Sequence, residues 1–374
     1  MSKPTGKYPH FCPGPIRLSM LFLMLACLAF HGFSASADRG HPARHYDKLE
    51  KKAVQCRLCP RNCALKEGQT GYCRVRRNEE GGLVSLVYGR LCAANVDPIE
   101  KKPLYHFLPG TESYSIATVG CSMRCLFCQN WDISQAEPAD YRTGYTAPEK
   151  VAAAATAAGC ASISYTYGEP AVFYEYMYDI SALARGSGIR NVMVTSGHIN
   201  TGPLAELCRV LDAANLDLKG FSDRSYQRMA NTSLAPILEA AKAFHKSGVW
   251  LELGYLVIPT VNDGPGEISA LCRWVADSLG PDVPLHFLRF FPQHKLAHLP
   301  PTPPASLDTA YAIARRAGIR YVYLGNVPGH RANHTYCHKC GKKLIERRGY
   351  FIERNLVKNG RCPYCRQRIP GVWR

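Results

Sequence analysis

The sequence predicts an α/β fold, a partial (β/α)6-type TIM barrel with a cysteine-rich segment before it and a short cysteine-bearing tail after it. Three observations predict this. From about residue 112, short apolar runs alternate with stretches of helical periodicity, the pattern of βαβ units on a parallel sheet. The motifs that can carry chemistry fall where the predicted strands end, which is where barrels place their sites. Both flanks leave the alternation and carry tightly spaced cysteines.

The predicted strands are Ser113–Val119, Ala161–Tyr165, Asn191–Thr195, Ala214–Leu218, Val249–Ile258, Leu285–Phe290 and Tyr321–Leu324. Each is a short apolar run bounded by polar or turn residues, as expected of strands buried on both faces. The segments between them read as helices: Pro148–Ala158, Ala171–Arg185, Pro203–Ala213, Ala235–Ser247, Gly266–Leu279 and Ser306–Ala317. The Pro300–Pro304 stretch reads as a loop. The expected organisation is a leader over 1–37, a cysteine-rich segment over 38–111, the barrel over 112–330 and a small tail over 331–374.

The chain carries a formal charge of +17, with its bases spread out apart from Arg74–Arg77 and Arg347–Arg348. That distribution favours a diffuse solvated surface, and nucleic-acid binding is the minority reading. Seventeen cysteines are present, and eleven fall into three groups: Cys56, Cys59, Cys63 and Cys73; Cys121, Cys125 and Cys128; Cys337, Cys340, Cys362 and Cys365. Short spacings of this kind gather thiolates around an ion or cluster and call for a reducing compartment. The leader points the other way. Lys3, Lys7 and Arg17 precede the apolar run Leu18–Phe30, and Ala35-Ser36-Ala37 resembles a cleavage site. Cytoplasmic function is expected, with Met20 as an alternative start, and export or membrane anchoring is the competing reading.

The central group reads Gly120-Cys121-Ser122-Met123-Arg124-Cys125-Leu126-Phe127-Cys128, a C-x3-C-x2-C loop directly after a strand. Three thiolates can hold three irons of a cubane that usually takes four, which leaves one iron open. An open position is what catalysis at a metal requires. With Phe127 as the aromatic before the last cysteine, the loop resembles the signature of radical S-adenosylmethionine (SAM) enzymes. The resemblance implies that Cys121, Cys125 and Cys128 carry a [4Fe–4S] cluster, that the open iron binds the amino and carboxylate groups of SAM, and that Phe127 packs near the adenine.

Later strand ends agree with that resemblance. Gly168, Glu169 and Pro170 resemble the element that holds the methionine amino group, although Tyr167 precedes them and a lone Gly-Glu-Pro also fits a turn entering a helix. Thr195 and Ser196 stand where the family contacts the ribose or carboxylate. Asp217-Leu218-Lys219 resembles the Asp-x-Lys of glycyl-radical activating enzymes. Asp217 and Lys219 share one side of a strand, so a simple ion pair is the other reading. Ile258, in Val257-Ile258-Pro259, resembles the segment that backs the adenine, and an ordinary buried strand fits it equally.

Cys337, Cys340, Cys362 and Cys365 form two C-x2-C knuckles, close to a four-thiolate zinc ribbon. A tail of this size has too little core to fold without such a metal. His334 and His338 are read as surface residues. Cys56, Cys59, Cys63 and Cys73 suit zinc or a second cluster, with zinc preferred. Cys92, Cys160, Cys208 and Cys272 read as core. Both outer groups and Tyr323-Leu324-Gly325-Asn326-Val327-Pro328-Gly329-His330 resemble the radical enzyme of the AmmeMemoRadiSam group, related to pyruvate formate-lyase activating enzyme. This implies reductive cleavage of SAM to a 5′-deoxyadenosyl radical that takes hydrogen from a protein or small-molecule substrate. The reductant implied is flavodoxin or ferredoxin, and Memo-family and Amme-family proteins are candidate partners. His198, His286 and Arg289 are possible cavity residues. Two other classes remain: a cluster- and zinc-bearing nucleic-acid-binding protein, and an electron-transfer protein.

Overall fold

The computed structural model describes residues 40–141 and 143–374. The predicted leader lies outside these residues. Among those described, no helix is long and apolar enough to cross a membrane.

Eight strands form the main sheet in strict chain order: β1 (Ala93–Pro98), β2 (Glu112–Ala117), β3 (Ser162–Tyr165), β4 (Arg190–Thr195), β5 (Ala213–Leu218), β6 (Trp250–Val257), β7 (Leu285–Arg289) and β8 (Val322–Gly325). β1 pairs antiparallel with β2, and every later pair is parallel. β1 and β8 are the two edges, so the hydrogen-bonded ladder is open. Six crossovers join the parallel strands, and all seven predicted strands are present.

β1 was not expected. Its sequence, Ala-Ala-Asn-Val-Asp-Pro, lacks apolar alternation, and three of its residues are exposed. It belongs to the main sheet although it falls within the segment 38–111. The crossovers carry α1 (Pro148–Ala157), α2 (Tyr174–Gly186), α3 (Thr201–Leu207), α4 (Asp223–Ala230), α5 (Ala235–Ser247), α6 (Pro265–Ser278) and α7 (Pro304–Arg316). Proline opens α1, α5, α6 and α7, where its missing N–H costs nothing. α3 stops at Leu207, six residues short of the expected end, because Ala213 already pairs in β5.

α4 was also missed. Of its short polar sequence Ser225, Tyr226, Met229 and Ala230 are buried, the last three at i, i+3 and i+4. Its cap was legible: the Ser222 hydroxyl accepts from the Ser225 N–H at 3.1 Å. Helices and sheet share one continuous core, in which Ile163, Leu216, Leu253, Phe244 and Phe287 are fully buried.

The N-terminal cysteines sit on two small antiparallel sheets. One contains Tyr46–Lys48, Val54–Cys56 and Ala64–Leu65; the other contains His41–Pro42, Gly82–Ser85 and Arg76–Glu79. The tail is a three-stranded sheet of Thr335–Tyr336, Lys343–Arg348 and Phe351–Asn355.

Inside the main sheet, below the strand ends, lies a polar floor. The loop after β1 returns across it, and the Tyr105 and His106 N–H groups donate to Glu252 on β6 at 2.9 and 2.7 Å. His286 on β7 lies 2.7 Å from the same carboxylate. His106 Nδ1 faces the Pro370 carbonyl at 2.7 Å, which can only accept, so Nδ1 carries the hydrogen. Burial pushes the His106 ring down to about 4, so Nε2 is free to accept from the Tyr323 hydroxyl at 2.6 Å. The tail seals this floor from outside through reciprocal bonds of His106 and Leu108 with Val372, both 2.7 Å.

Candidate active site

One cavity of about 690 Å³ opens at the C-terminal ends of the strands. That size is within the ordinary range for cofactor and substrate sites. Its lining runs from Lys101 and Lys102 after β1, past Cys121, Glu169, Thr195 and Asp217, to Gly325 on β8 and Tyr350 of the tail.

Gly120 starts the cysteine loop with φ +95°, and a Cβ there would meet Val75 Cγ1 at 2.5 Å and the Cys73 carbonyl at 2.8 Å. Only glycine fits. The loop then rests on α4: the Arg124 N–H donates to Ala230 O at 3.3 Å and the Leu126 N–H to Met229 O at 2.9 Å. The Arg124 guanidinium ties down the Cys121 and Met123 carbonyls at 2.8 and 2.9 Å. Cys121, Cys125 and Cys128 all line the cavity. Burial raises the Cys121 thiol well above its ordinary range and pushes Cys125 up to about 12. These thiols therefore call for a cation to become thiolates. Phe127 lines the cavity on one side and packs with Met229, Ile258, Phe290 and Leu296 on the other. Ile258 stands behind Phe127, and Leu256 takes the cavity position on that strand.

Glu169 is 2% exposed. It clamps two strand ends: Oε1 accepts from the Thr195 hydroxyl at 2.6 Å and the Ala171 N–H at 3.3 Å, and Oε2 accepts from the Ser196 N–H at 2.8 Å. Burial raises its carboxyl against the pull of these donors. Gly168, Thr195 and Ser196 line the cavity beside it, whereas Pro170 turns away to open a short 3-10 helix. Tyr167, at φ +64°, is held there by Asn130, whose amide donates to the Tyr167 carbonyl at 2.8 Å, and by its own hydroxyl on Asp97. A non-glycine residue in this region costs about 1–2 kcal/mol, a strain that clusters at functional sites.

Asp217 and Lys219 form an ion pair on the cavity wall. Burial alone would lower the Lys219 ammonium; Asp217 and the nearby cysteines outweigh it and raise it. Lys219 Nζ also lies 5.6 Å from the centre of the Phe127 ring. Among the described residues Asp217 Oδ1 has no partner although it is buried. Directly across the ladder stands Gly254, whose Cβ would come within 3.1 Å of that oxygen.

Of the three possible cavity residues, His286 lines the cavity. His198 does not; it is buried between the Ser122 and Thr232 hydroxyls, both 2.9 Å away. Arg289 donates to the Thr302 carbonyl at 2.9 Å instead. The sequence reading missed Glu100, Lys102, Asp97 and Glu252. For Glu252 the signal was available, since strand alternation puts Glu252, Gly254 and Leu256 on one face.

The C-terminal cysteines form a separate centre. The sulfurs of Cys337, Cys340, Cys362 and Cys365 all lie within 4.8 Å of one another, with Cys337–Cys365 at 3.6 Å and Cys340–Cys362 at 3.7 Å. His334 and His338 stand apart from it, bonded to the Arg347 N–H and the Tyr321 hydroxyl.

A sequence model of the Radical SAM superfamily matches residues 115–272, which span the cysteine loop and the Glu169 and Asp217 strand ends. An uncharacterized protein of Methanocaldococcus jannaschii is 44% identical over 331 residues, covering 87% of this chain and 98% of that one. The chain belongs to the radical SAM superfamily. Within the superfamily it is similar to pyruvate formate-lyase 1-activating enzyme of Escherichia coli, 26% identical over 163 residues that cover 42% of this chain and 66% of the relative. Among solved structures, a domain of pyruvate-formate lyase-activating enzyme from Bacteroides vulgatus aligns with a TM-score of 0.40 at 16% identity, over 44% of this chain and 99% of that one.

Proposed function

We propose that the chain is a radical SAM enzyme in which Cys121, Cys125 and Cys128 hold a [4Fe–4S] cluster with one open iron, and that SAM fills the cavity above it. One observation carries the reading: three half-buried thiols of a single loop line a cavity whose next strand ends present Glu169, Ser196 and the Asp217–Lys219 pair. These residues fit an amino-acid headgroup. Glu169 offers a buried carboxylate to an ammonium, and the unpartnered Asp217 Oδ1 calls for a donor. Phe127, backed by Ile258, offers a flat apolar face to a purine.

When bound, the cluster supplies one electron to the sulfonium of SAM, which yields methionine and a 5′-deoxyadenosyl radical able to take hydrogen from a substrate. The protein's own residues bind, orient and exclude water. Glu169 holds the ends of β3 and β4 at a fixed separation. Lys219 neutralises Asp217 and places positive charge toward Cys125 and Cys128. Tyr105 and His286 close the base of the cavity. The sheet curls around the cavity as a partial barrel in this reading, since residues after both edge strands line one space.

The reductant in this reading is flavodoxin or ferredoxin. The substrate is a protein or a small molecule, with Memo-family and Amme-family proteins as candidate partners, and cytoplasmic function follows from the reduced thiols. Zinc in the C-terminal quartet belongs to the same reading, because a tetrahedron with Zn–S of about 2.3 Å has an edge of about 3.8 Å. The test is anaerobic cluster reconstitution followed by dithionite and SAM. 5′-Deoxyadenosine should form well above a Cys125→Ala control. If none forms, the radical reading falls, and salt-sensitive nucleic-acid binding or a cluster spectrum indifferent to SAM would indicate one of the other two classes.

A further inference from the structure

We infer that Cys56, Cys59, Cys63 and Cys73 hold a second [4Fe–4S] cluster, bound by thiolate at every iron, that relays electrons to the cluster on Cys121, Cys125 and Cys128. Cys56 ends a strand, Cys59 and Cys63 lie in the connection that follows it, Cys73 lies in the loop before Arg76–Glu79, and all four line one small cavity. Leu58, Leu65 and Val172 make its walls apolar. Such walls suit an inorganic cluster, and the side chains of Arg61, Tyr72, Arg76 and Ser122 supply the polar part of the lining.

Sulfur spacing distinguishes a cluster from zinc. Four thiolates on one zinc ion sit at the corners of a tetrahedron about 3.8 Å on edge. The C-terminal quartet has that spacing, at 3.6 and 3.7 Å. Among the described residues it is the one group of three or more ligand atoms lying within 4.8 Å of one another. The N-terminal four face a common cavity yet are more widely spread, as are Cys121, Cys125 and Cys128. A cubane carries each thiolate on a different iron and so holds its sulfurs further apart than one metal ion can. The chain thus holds one compact sulfur set and two open ones.

A second, independent observation is Arg76. It is 2% exposed and lines the same cavity. Its terminal nitrogens are committed to Glu175, both at 3.0 Å, and to the Arg44 carbonyl at 2.7 Å. Its Nε–H is buried without a partner among the described residues. A buried guanidinium with one donor to spare suits an anionic, sulfur-rich occupant.

Position gives the role. Ser122 lines the N-terminal cavity, while its chain neighbour Cys121 lines the active-site cavity. The two spaces therefore meet across consecutive residues, whose Cα atoms are about 3.8 Å apart. With four thiolates there is no open iron, so this site binds no substrate and transfers electrons. It takes one electron from a low-potential one-electron donor and passes it on, with no net change of its own. The relay role rests on the proposed radical function; the presence of the cluster does not.

The test uses the full chain, reconstituted anaerobically. A Cys121→Ala/Cys125→Ala/Cys128→Ala variant should keep about four irons and four sulfides, show a reduced-cluster resonance that SAM leaves unmoved, and carry about one zinc. If the variant holds no iron and about two zincs, the cluster assignment is overturned. If wild type makes no 5′-deoxyadenosine while the variant keeps its iron, the radical reading falls and the cluster assignment stands. For the relay, a Cys59→Ser/Cys63→Ser variant is compared with wild type using reduced flavodoxin and then dithionite. The ratio of flavodoxin-driven to dithionite-driven 5′-deoxyadenosine should fall at least about tenfold. An unchanged ratio overturns the relay role. Should that variant fail to fold by circular dichroism, the ratio is measured on the single variant Cys63→Ala instead, with the same two outcomes.

Discussion

Glutamine at position 169 separates two roles of one carboxylate. The first is structural. Glu169 accepts the Thr195 hydroxyl and the Ala171 N–H on Oε1 and the Ser196 N–H on Oε2, at 2.6, 3.3 and 2.8 Å. Glutamine keeps one acceptor, so its amide nitrogen must face one of these donor sets. The Thr195 hydroxyl can rotate away, but neither backbone N–H can. One buried donor is therefore stranded, at about 1–3 kcal/mol. The second role is electrostatic. A hydrogen bond to a charged partner is worth about 1.5–3 kcal/mol. Losing it for the SAM ammonium should weaken cofactor binding about ten- to 150-fold. Urea unfolding of the anaerobic protein reads the first effect, and titration of the reconstituted protein with SAM, followed by the cluster resonance, reads the second. Both should change. If Glu169→Gln loses stability yet binds SAM within about threefold of wild type, the carboxylate is only a clamp and the proposed headgroup site is wrong.

Three further outcomes follow from named contacts. Glu100 is buried with Oε2 unpartnered among the described residues, and burial pushes its carboxyl up to about 7 from 4.5. A raised carboxyl destabilises the fold as pH climbs through that window: the cost is about 0.8 kcal/mol at pH 5 and about 3.3 at pH 8. Wild type should lose about 2.5 kcal/mol more than Glu100→Gln between those pH values, read from urea midpoints, and parallel profiles would refute this. Gly120→Ala drives a Cβ into Val75 and the Cys73 carbonyl at 2.5 and 2.8 Å, so it should lower stability by about 1–3 kcal/mol and reduce iron content on reconstitution. Stripping metal from Cys337, Cys340, Cys362 and Cys365 should free the tail and expose the 105–108 loop, seen as lost amide protection at Leu108, which donates to the Val372 carbonyl, and at Val372, which donates to the His106 carbonyl.

The residues that could be read from the sequence are those whose environment is local. Strands β3, β5 and β6 are almost wholly buried, so their short stretches read as strands whatever their neighbours are. The cysteine loop is legible because its spacing alone brings three thiols together. The illegible parts depend on distant partners. β1 has no apolar face of its own and becomes a strand only because β2 offers an edge. The floor joins residues 146, 147 and 217 positions apart, and no window on the sequence contains both ends. Glu252 looks like an ordinary polar residue in an apolar strand until Tyr105, His106, Trp250 and His286 are seen to use all of its lone pairs.

The two outer modules act on different parts of the central sheet. The N-terminal module reaches the cysteine loop through Arg61 on the Ser122 carbonyl at 3.0 Å and Val75 against Gly120. The tail reaches the floor from below, where Arg347 is 3% exposed, donates to the Tyr105 carbonyl at 2.8 Å and stacks 4.1 Å above its ring. An open sheet with a polar interior would otherwise leave Glu252 and its partners to water at the base of the cavity. A radical able to abstract hydrogen from its surroundings needs that base closed. A metal on the four tail cysteines would thus serve the site at a distance. It would fold the ribbon, which places Arg347 and Val372 against the Tyr105–His106 loop over Glu252. Damage to the four tail cysteines should accordingly appear first as solvent entry beneath the cavity, before any change at Cys121, Cys125 or Cys128.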